Sequence, residues 1–155
     1  MSERKMKSPA ESFTTQVQVL TKGNLNGSDR LFGGTLMAWM DVVAAVTARR
    51  HSGCHVTTAS VKELNFRAPA HGDDTLVLTG EVVYVGRTSM EILVSVYIEE
   101  LNGEEKLINE AHFVMVAIDE NERPVEVPGL LLETEEQRLK WMEAERARDI
   151  ICSLK

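Results

Sequence analysis

Two cysteines in 155 residues are too few for a disulfide scaffold, and Cys54 and Cys152, almost a hundred positions apart, lack the close spacing of a metal knuckle. Both read as structural thiols. Basic residues are also short: 17 Lys and Arg against 24 Asp and Glu leave a formal charge of -7. That balance excludes a broad nucleic-acid face, so any anionic ligand has to find a local cationic pocket. Met1 to Lys7 is charged and has no apolar core of a secretory signal, which gives a cytoplasmic expectation. The one long apolar run, Leu31 to Ala48, is interrupted by Gly33-Gly34 and holds Asp41 near its middle, so no membrane span is expected. A Gly-x-Ser-x-Gly elbow is missing, as is a recognisable Cys/His nucleophile pair. His51 and His55 have a spacing seen in helical metal pairs, but Gly53 intervenes and no third ligand accompanies them, so no metal site is expected.

What is there, 43% hydrophobic and 26% charged, fits one α+β domain with a sizeable core, placed over residues 12–120. Val17 and Val19, spaced by two, mark a strand within residues 12–20. Thr21 to Arg30, rich in Gly, Asn, Ser and Asp, reads as a loop whose side chains favour positive φ. Phe32 to about Arg50, proline-free and rich in Leu, Met, Ala and Val, reads as a helix. Its apolar residues lie on every side, so it should be enclosed on most sides by other structure. Strands are expected over Val56 to Phe66, Leu76 to Tyr84, Met90 to Ile98 and Lys106 to Ile118, the last two joined by a hairpin turn at Asn102-Gly103. Thr134 and Gln137 form a capping-box pattern opening a strongly charged, solvated helix over residues 133–151. The expected architecture is a curved antiparallel sheet wrapped around one long helix.

Asp41 is the one ionisable residue between Arg30 and Arg49, so folding should surround it with largely apolar groups. Burial without a partner would make its carboxylate more basic, and a carboxylate at the foot of a narrow cleft can act as a base. The plainer reading is a buried hydrogen-bonding residue. Gly33-Gly34 at a helix start can expose backbone N–H groups to an oxyanion, or serve only as a tight turn. Asn26, and equally Asn24, can donate to a carbonyl or hold a water. Gly86-Arg87-Thr88-Ser89 combines a flexible glycine, a permanent cation and two hydroxyls, suited to phosphate or to a plain hairpin. Arg67, beside Phe66, is a second candidate phosphate contact or a solvated arginine.

The run Asn26-Gly27-Ser28-Asp29-Arg30-Leu31-Phe32-Gly33-Gly34-Thr35-Leu36-Met37-Ala38-Trp39-Met40-Asp41 resembles the signature of hotdog-fold acyl-CoA thioesterases. The similarity continues through His55-Val56-Thr57-Thr58, Asn65-Phe66-Arg67-Ala68-Pro69, Gly72-Asp73 and Gly86-Arg87-Thr88-Ser89-Met90-Glu91, covering most of residues 12 to 118. The resemblance implies hydrolysis of acyl-CoA to free coenzyme A and a carboxylic (fatty) acid. It implies homo-oligomers, dimers at least and often trimers of dimers, with sites between subunits. Asp41 is the implied base or nucleophile, and Asn26 comes from the opposite subunit. The Gly34 N–H, with Gly33 beside it, is implied to polarise the thioester carbonyl. Phe66, Arg67, Gly86, Arg87, Thr88 and Ser89 would contact substrate. No cofactor is expected, since coenzyme A is part of substrate and product. Ser28-Asp29-Arg30 departs from the usual shorter run and leaves Asn26 against Asn24 open. A hotdog dehydratase would need a histidine aimed at substrate, whereas His51 and His55 are expected beyond the buried helix face. A non-catalytic acyl-CoA sensor would bind without releasing coenzyme A.

Overall fold

The computed structural model describes residues 3–153, with side chains through residue 150, so the side chain of Cys152 lies outside the described set. In chain order the elements are β1 (Met6–Lys7), α1 (Pro9–Ser12), β2 (Thr14–Val19), a 3₁₀ turn (Lys22–Asn24), α2 (Gly33–Ser52), β3 (His55–Phe66), β4 (Thr75–Val85), β5 (Ser89–Glu99), β6 (Glu105–Ile118), β7 (Gly129–Leu130) and α3 (Glu135–Ser153). Five strands form one antiparallel sheet in the order β2-β4-β5-β6-β3, and β1 pairs with β7 in a separate parallel ribbon.

Alternation decides which face is the core. Met90, Ile92, Val94 and Val96 of β5 and Ala111, Phe113, Met115 and Ala117 of β6 are almost fully enclosed. Against them α2 lays Leu36, Met40, Val43, Ala44, Thr47, Ala48 and His51, a stripe at helical spacing. Gly80 of β4 lets the helix come close: a Cβ there would lie 2.9 Å from Val43 Cγ1 and closer still to Thr47 Oγ1. The helix touches all five strands. A helix about 10 Å across can reach every strand of a sheet roughly 19 Å wide only if the sheet bends around it. Met40, with no exposed surface, sits at the centre of that contact, and truncating it to alanine would cost about 2–5 kcal/mol. The helix ends where Gly53 adopts φ 71° and its N–H bonds Arg49 O at 2.8 Å, a conformation costly for other residues.

Several expectations need correction. The stripe covers one side of α2 only; Val42 is 53% exposed and Asp41 half-buried, so the protomer does not enclose its helix on most sides. The helix begins at Gly33, with Phe32 as its N-cap. α1, β1 and β7 were not foreseen, being too short to carry a period. α3 opens as expected, with Gln137 N–H bonded to Thr134 Oγ1 at 3.1 Å and Thr134 N–H to Gln137 Oε1 at 3.2 Å. It is not simply solvated. Trp141 stacks on Tyr84 of β4 with ring centroids 4.3 Å apart, Ala144 is buried, and Lys140 pairs with Glu81 at 3.0 Å. Among the described residues no helix is long and apolar enough to cross a membrane.

Candidate active site

On the open face of α2, Asp41 has a partner that sequence reasoning missed. Thr58 Oγ1 donates to Asp41 Oδ1 at 2.7 Å, and Oδ2 has no partner among the described residues. The expected lone, buried carboxylate is thus corrected to a half-buried, hydrogen-bonded one. Thr58 faces the helix because it pairs with Met115, an inward residue, and because a register shift between Thr58 and Ser60 bulges β3 at Ala59. Bulges of this kind re-aim side chains beside functional sites. The Met115 sulfur, 3.4 Å from the same hydroxyl, is the weaker acceptor.

The start of α2 is open in a different way. Phe32 at the N-cap offers no side-chain acceptor, and Leu36 N–H is the first to bond back, to Phe32 O at 3.1 Å. The N–H groups of Gly33, Gly34 and Thr35 therefore point outward unpaired, where the helix dipole favours negative charge. The Phe32 ring crowds Gly34, where a Cβ would lie 2.6 Å from Phe32 Cε1, whereas a Cβ on Gly33 would meet Phe66 Cζ at 4.0 Å, an ordinary contact. Gly34 thus admits the ring, and both glycines leave the amides accessible.

In the preceding loop, Asn26 Oδ1 accepts the N–H groups of Ser28 (2.8 Å) and Arg30 (3.2 Å), and Asn26 N–H bonds Arg30 O at 2.7 Å. Asp29 takes the one positive φ of the loop, 57°. These bonds fix the amide with Nδ2, a donor, unpartnered. Asn24 is different: its Oδ1 accepts Thr21 N–H and Thr21 Oγ1, and its backbone O accepts Phe32 N–H. That side chain is occupied in closing the 3₁₀ turn.

A cavity of about 300 Å³ opens beside Asn26 and is bordered by Arg30, Leu36, Phe66, Arg67, Ile108 and Asn109, among others. Arg67 pairs with Glu110 at 2.8 Å. Gly86, Arg87 and Thr88 form the β4–β5 turn, pinned by Gly86 N–H to Ser89 O (2.9 Å), Ala117 N–H to Thr88 O (3.1 Å) and Val127 N–H to Arg87 O (2.9 Å). Arg4 Nη2 donates to Gly86 O at 2.6 Å, and Arg148 lies 5.4 Å over the Tyr84 ring with Nη1 2.7 Å from where a Gly86 Cβ would sit. Three arginines, Arg4, Arg87 and Arg148, so gather at one turn of an acidic chain.

One protomer does not bring these groups together. Phe66 pairs with Asn109 and Ser89 with Val116 on the same strand, which puts the cavity and the arginine turn about 23 Å apart at ~3.3 Å per residue. Gly34 and Asp41 are separated by roughly 10 Å along α2.

The other titratable groups are structural in character. His51 is fully enclosed rather than beyond the buried face, and its Nε2 donates to Pro128 O at 2.8 Å. Burial, opposed in part by that bond, holds its pKa below 6.5. His55 lies on β3, exposed. On the outer sheet face buried Glu91 takes Lys62 at 2.7 Å and His112 Nδ1 at 2.8 Å. Burial alone would raise the Glu91 pKa; these bonds outweigh it and hold the carboxyl below its ordinary value.

Comparison with known proteins gives a consistent result. Residues 29–104 match the thioesterase superfamily. The chain is 35% identical over 138 residues to the acyl-CoA thioester hydrolase YkhA of Bacillus subtilis, itself uncharacterized, covering 85% of this chain and 80% of that one. An apo hexameric acyl-CoA thioesterase superposes with a TM-score of 0.90 at 34% identity, over 97% of this chain and 99% of that one. The acyl-CoA hydrolase of Staphylococcus aureus, solved with butyryl coenzyme A, coenzyme A and coenzyme A disulfide, gives 0.85 at 32% identity, over 96% and 95%. That hydrolase has also been solved with alanine replacing an asparagine, an aspartate and a threonine. Sequence shared over most of the chain and a fold shared over nearly all of it place the protein in the thioesterase superfamily, among the hotdog-fold acyl-CoA thioester hydrolases.

Proposed function

We propose that acyl-CoA is hydrolysed in a site shared by two protomers, where Asp41 of one faces Asn26 and the Gly34 N–H of the partner subunit. The observation that carries this reading is the hydrogen-bonded Asp41 carboxylate on a helix face its own protomer leaves open. A base and an oxyanion donor about 10 Å apart on one helix do not meet at one thioester. Among the described residues the far edge of β3 pairs with no strand, and Val42, Val61 and Phe66 are exposed near it. Antiparallel pairing of two such edges would bring the arginine turn of one copy toward the Asn26 cavity of the other. The asparagine, aspartate and threonine replaced in the Staphylococcus aureus hydrolase are 15 and 17 residues apart, and so are Asn26, Asp41 and Thr58 here. Hexameric relatives favour a trimer of such dimers.

In this reading the Gly34 N–H and Asn26 Nδ2 polarise the thioester carbonyl or orient water. Asp41 Oδ2 takes a proton from water as its oxygen adds to the carbonyl carbon. The C–S bond then breaks and the departing thiolate takes up that proton, giving coenzyme A and a carboxylic acid. Direct attack by Asp41 would instead give an acyl anhydride that water opens. Phe66, Arg67 and Gly86 to Ser89 contact the substrate, and no cofactor is required. A reducing cytoplasm suits the unpaired Cys54 thiol.

Co-expression of Asp41→Ala and Asn26→Ala chains tests the shared site. Each variant alone should release almost no coenzyme A, while the mixture recovers about a quarter of the wild-type rate through hybrid dimers. A mixture as inactive as its parents would rule out sites built from two chains, and undiminished release by Asp41→Ala would remove Asp41 from the chemistry.

A further inference from the structure

Asn109 of β6 has no exposed surface, and neither its Oδ1 nor its Nδ2 has a hydrogen-bond partner in the protein. A buried amide left unpaired is costly and rare in native folds, and where it occurs it calls for a ligand or an ordered water. The only other such atoms among the described residues are Ser12 Oγ and His51 Nδ1, and neither residue borders the cavity beside Asn26. Asn109 does.

The surroundings define what would satisfy it. Leu31, Leu36, Phe66 and Ile108 supply apolar wall, while Asn26, Arg30 and Arg67 border the same cavity. A volume of about 300 Å³ is at the low end of ligand pockets, enough for an acyl group but not for coenzyme A as well. Phe66, which pairs with Asn109 across β3 and is 57% exposed, is the wall able to move aside. The amide offers one acceptor and one donor group. A hydroxyl, itself donor and acceptor, matches both. A saturated chain matches neither, and a carboxylate, an acceptor only, would satisfy Nδ2 and leave Oδ1 unpaired.

We infer that Asn109 is a specificity-determining residue at the polar end of the acyl pocket, selecting short acyl chains that carry a hydroxyl near the thioester, with 3-hydroxyacyl-CoA as the substrate class. The inference rests on the thioesterase reading of this site. Discrimination by a buried hydrogen-bonding group exceeds what one methylene more or less achieves, because the wrong ligand leaves the group unpaired.

The test uses the full-length oligomer and matched pairs, butyryl-CoA against 3-hydroxybutyryl-CoA and hexanoyl-CoA against 3-hydroxyhexanoyl-CoA, with coenzyme A release as readout. In the wild type, kcat/KM should favour the hydroxylated member at least tenfold in one or both pairs. In Asn109→Leu, of similar shape, the ratio should fall to about one or invert, while Tm rises because an unpaired amide has been replaced by a methyl group. A purely structural asparagine would lower Tm on substitution and leave the ratio unmoved. Equal rates within both wild-type pairs would overturn the inference without any variant, so a misfolded Asn109→Leu does not protect it. Release from no acyl-CoA at all would overturn the thioesterase reading as well, whereas release without preference overturns this inference alone.

Discussion

The hydroxyl of Thr58 and the carboxylate of Asp41, 17 residues apart in sequence, meet at 2.7 Å across the gap between β3 and α2. A donor on Oδ1 fixes the rotation of the carboxylate, and in the proposed mechanism Oδ2 is the atom that meets the proton or the acyl carbon. Thr58→Val keeps the shape and deletes the donor. It should lower kcat by about tenfold to a hundredfold, in the range seen for single positioned donors, with KM little changed. Thr58→Ser should keep most of the activity. Steady-state coenzyme A release for the three proteins decides the matter, and an unimpaired Thr58→Val would reduce the contact to a packing detail.

Asn24 and Asn26 offer identical chemistry in one loop, yet their amides are used differently. The Asn26 amide is held by Ser28 and Arg30 with Nδ2 left over, whereas Asn24 closes the 3₁₀ turn through Thr21. Asn26→Ala should reduce kcat by about a hundredfold. Asn24→Ala should act on stability instead, by about 1 kcal/mol, as loss of a capping side chain does. Thermal unfolding and turnover measured on both proteins would reveal the split; a turnover loss confined to Asn24→Ala would reverse the assignment.

Local period made much of this legible. Met90, Ile92, Val94 and Val96 alternate so regularly that β5 and its buried face follow from the sequence, and Asp41 stands out as the lone ionisable group between Arg30 and Arg49. The order β2-β4-β5-β6-β3 does not, because pairing is set by contacts far apart in the chain. Thr58 escaped notice for a related reason: only the bulge at Ala59 and the register with Met115 show that it faces Asp41. The openness of α2 was missed because its apolar residues look alike whether a sheet or a second chain covers them. Asn109 continues the inward alternation of Ala111, Phe113 and Met115, but nothing in the one-dimensional pattern shows that its amide is left unpaired.

Trp141 carries the docking of α3, and Arg148, about two turns further along the same helical face, reaches the turn at Gly86. Trp141→Ala should cost about 1–3 kcal/mol, less than a fully buried aromatic because the ring is only half enclosed. Hydrogen exchange should quicken along α3. If the arginine turn holds the anionic part of coenzyme A, KM should rise severalfold with kcat nearly constant. Faster exchange without any change in KM would detach α3 from substrate binding.

His51 gives a pH dependence whose direction follows from its surroundings. Burial is the largest influence and disfavours the imidazolium; the Pro128 carbonyl opposes it, and Lys7 and Arg4 add to it. The folded-state pKa therefore lies below 6.5, and on acidification the unfolded chain binds its proton first. Stability from this group is complete above about pH 7.5 and is lost as pH falls through the unfolded value toward the depressed folded one. Glu91 is depressed from 4.5 and has the same sign, but its contribution disappears only in more acid solution. Between about pH 7.5 and 5.5 the decline in Tm should thus carry a His51 component. His51→Gln, which can still donate to Pro128 but does not titrate, should flatten that part of the curve even if its plateau is lower. An unaltered slope would mean that the folded protein protonates His51 as readily as the unfolded chain does, against what its enclosure requires.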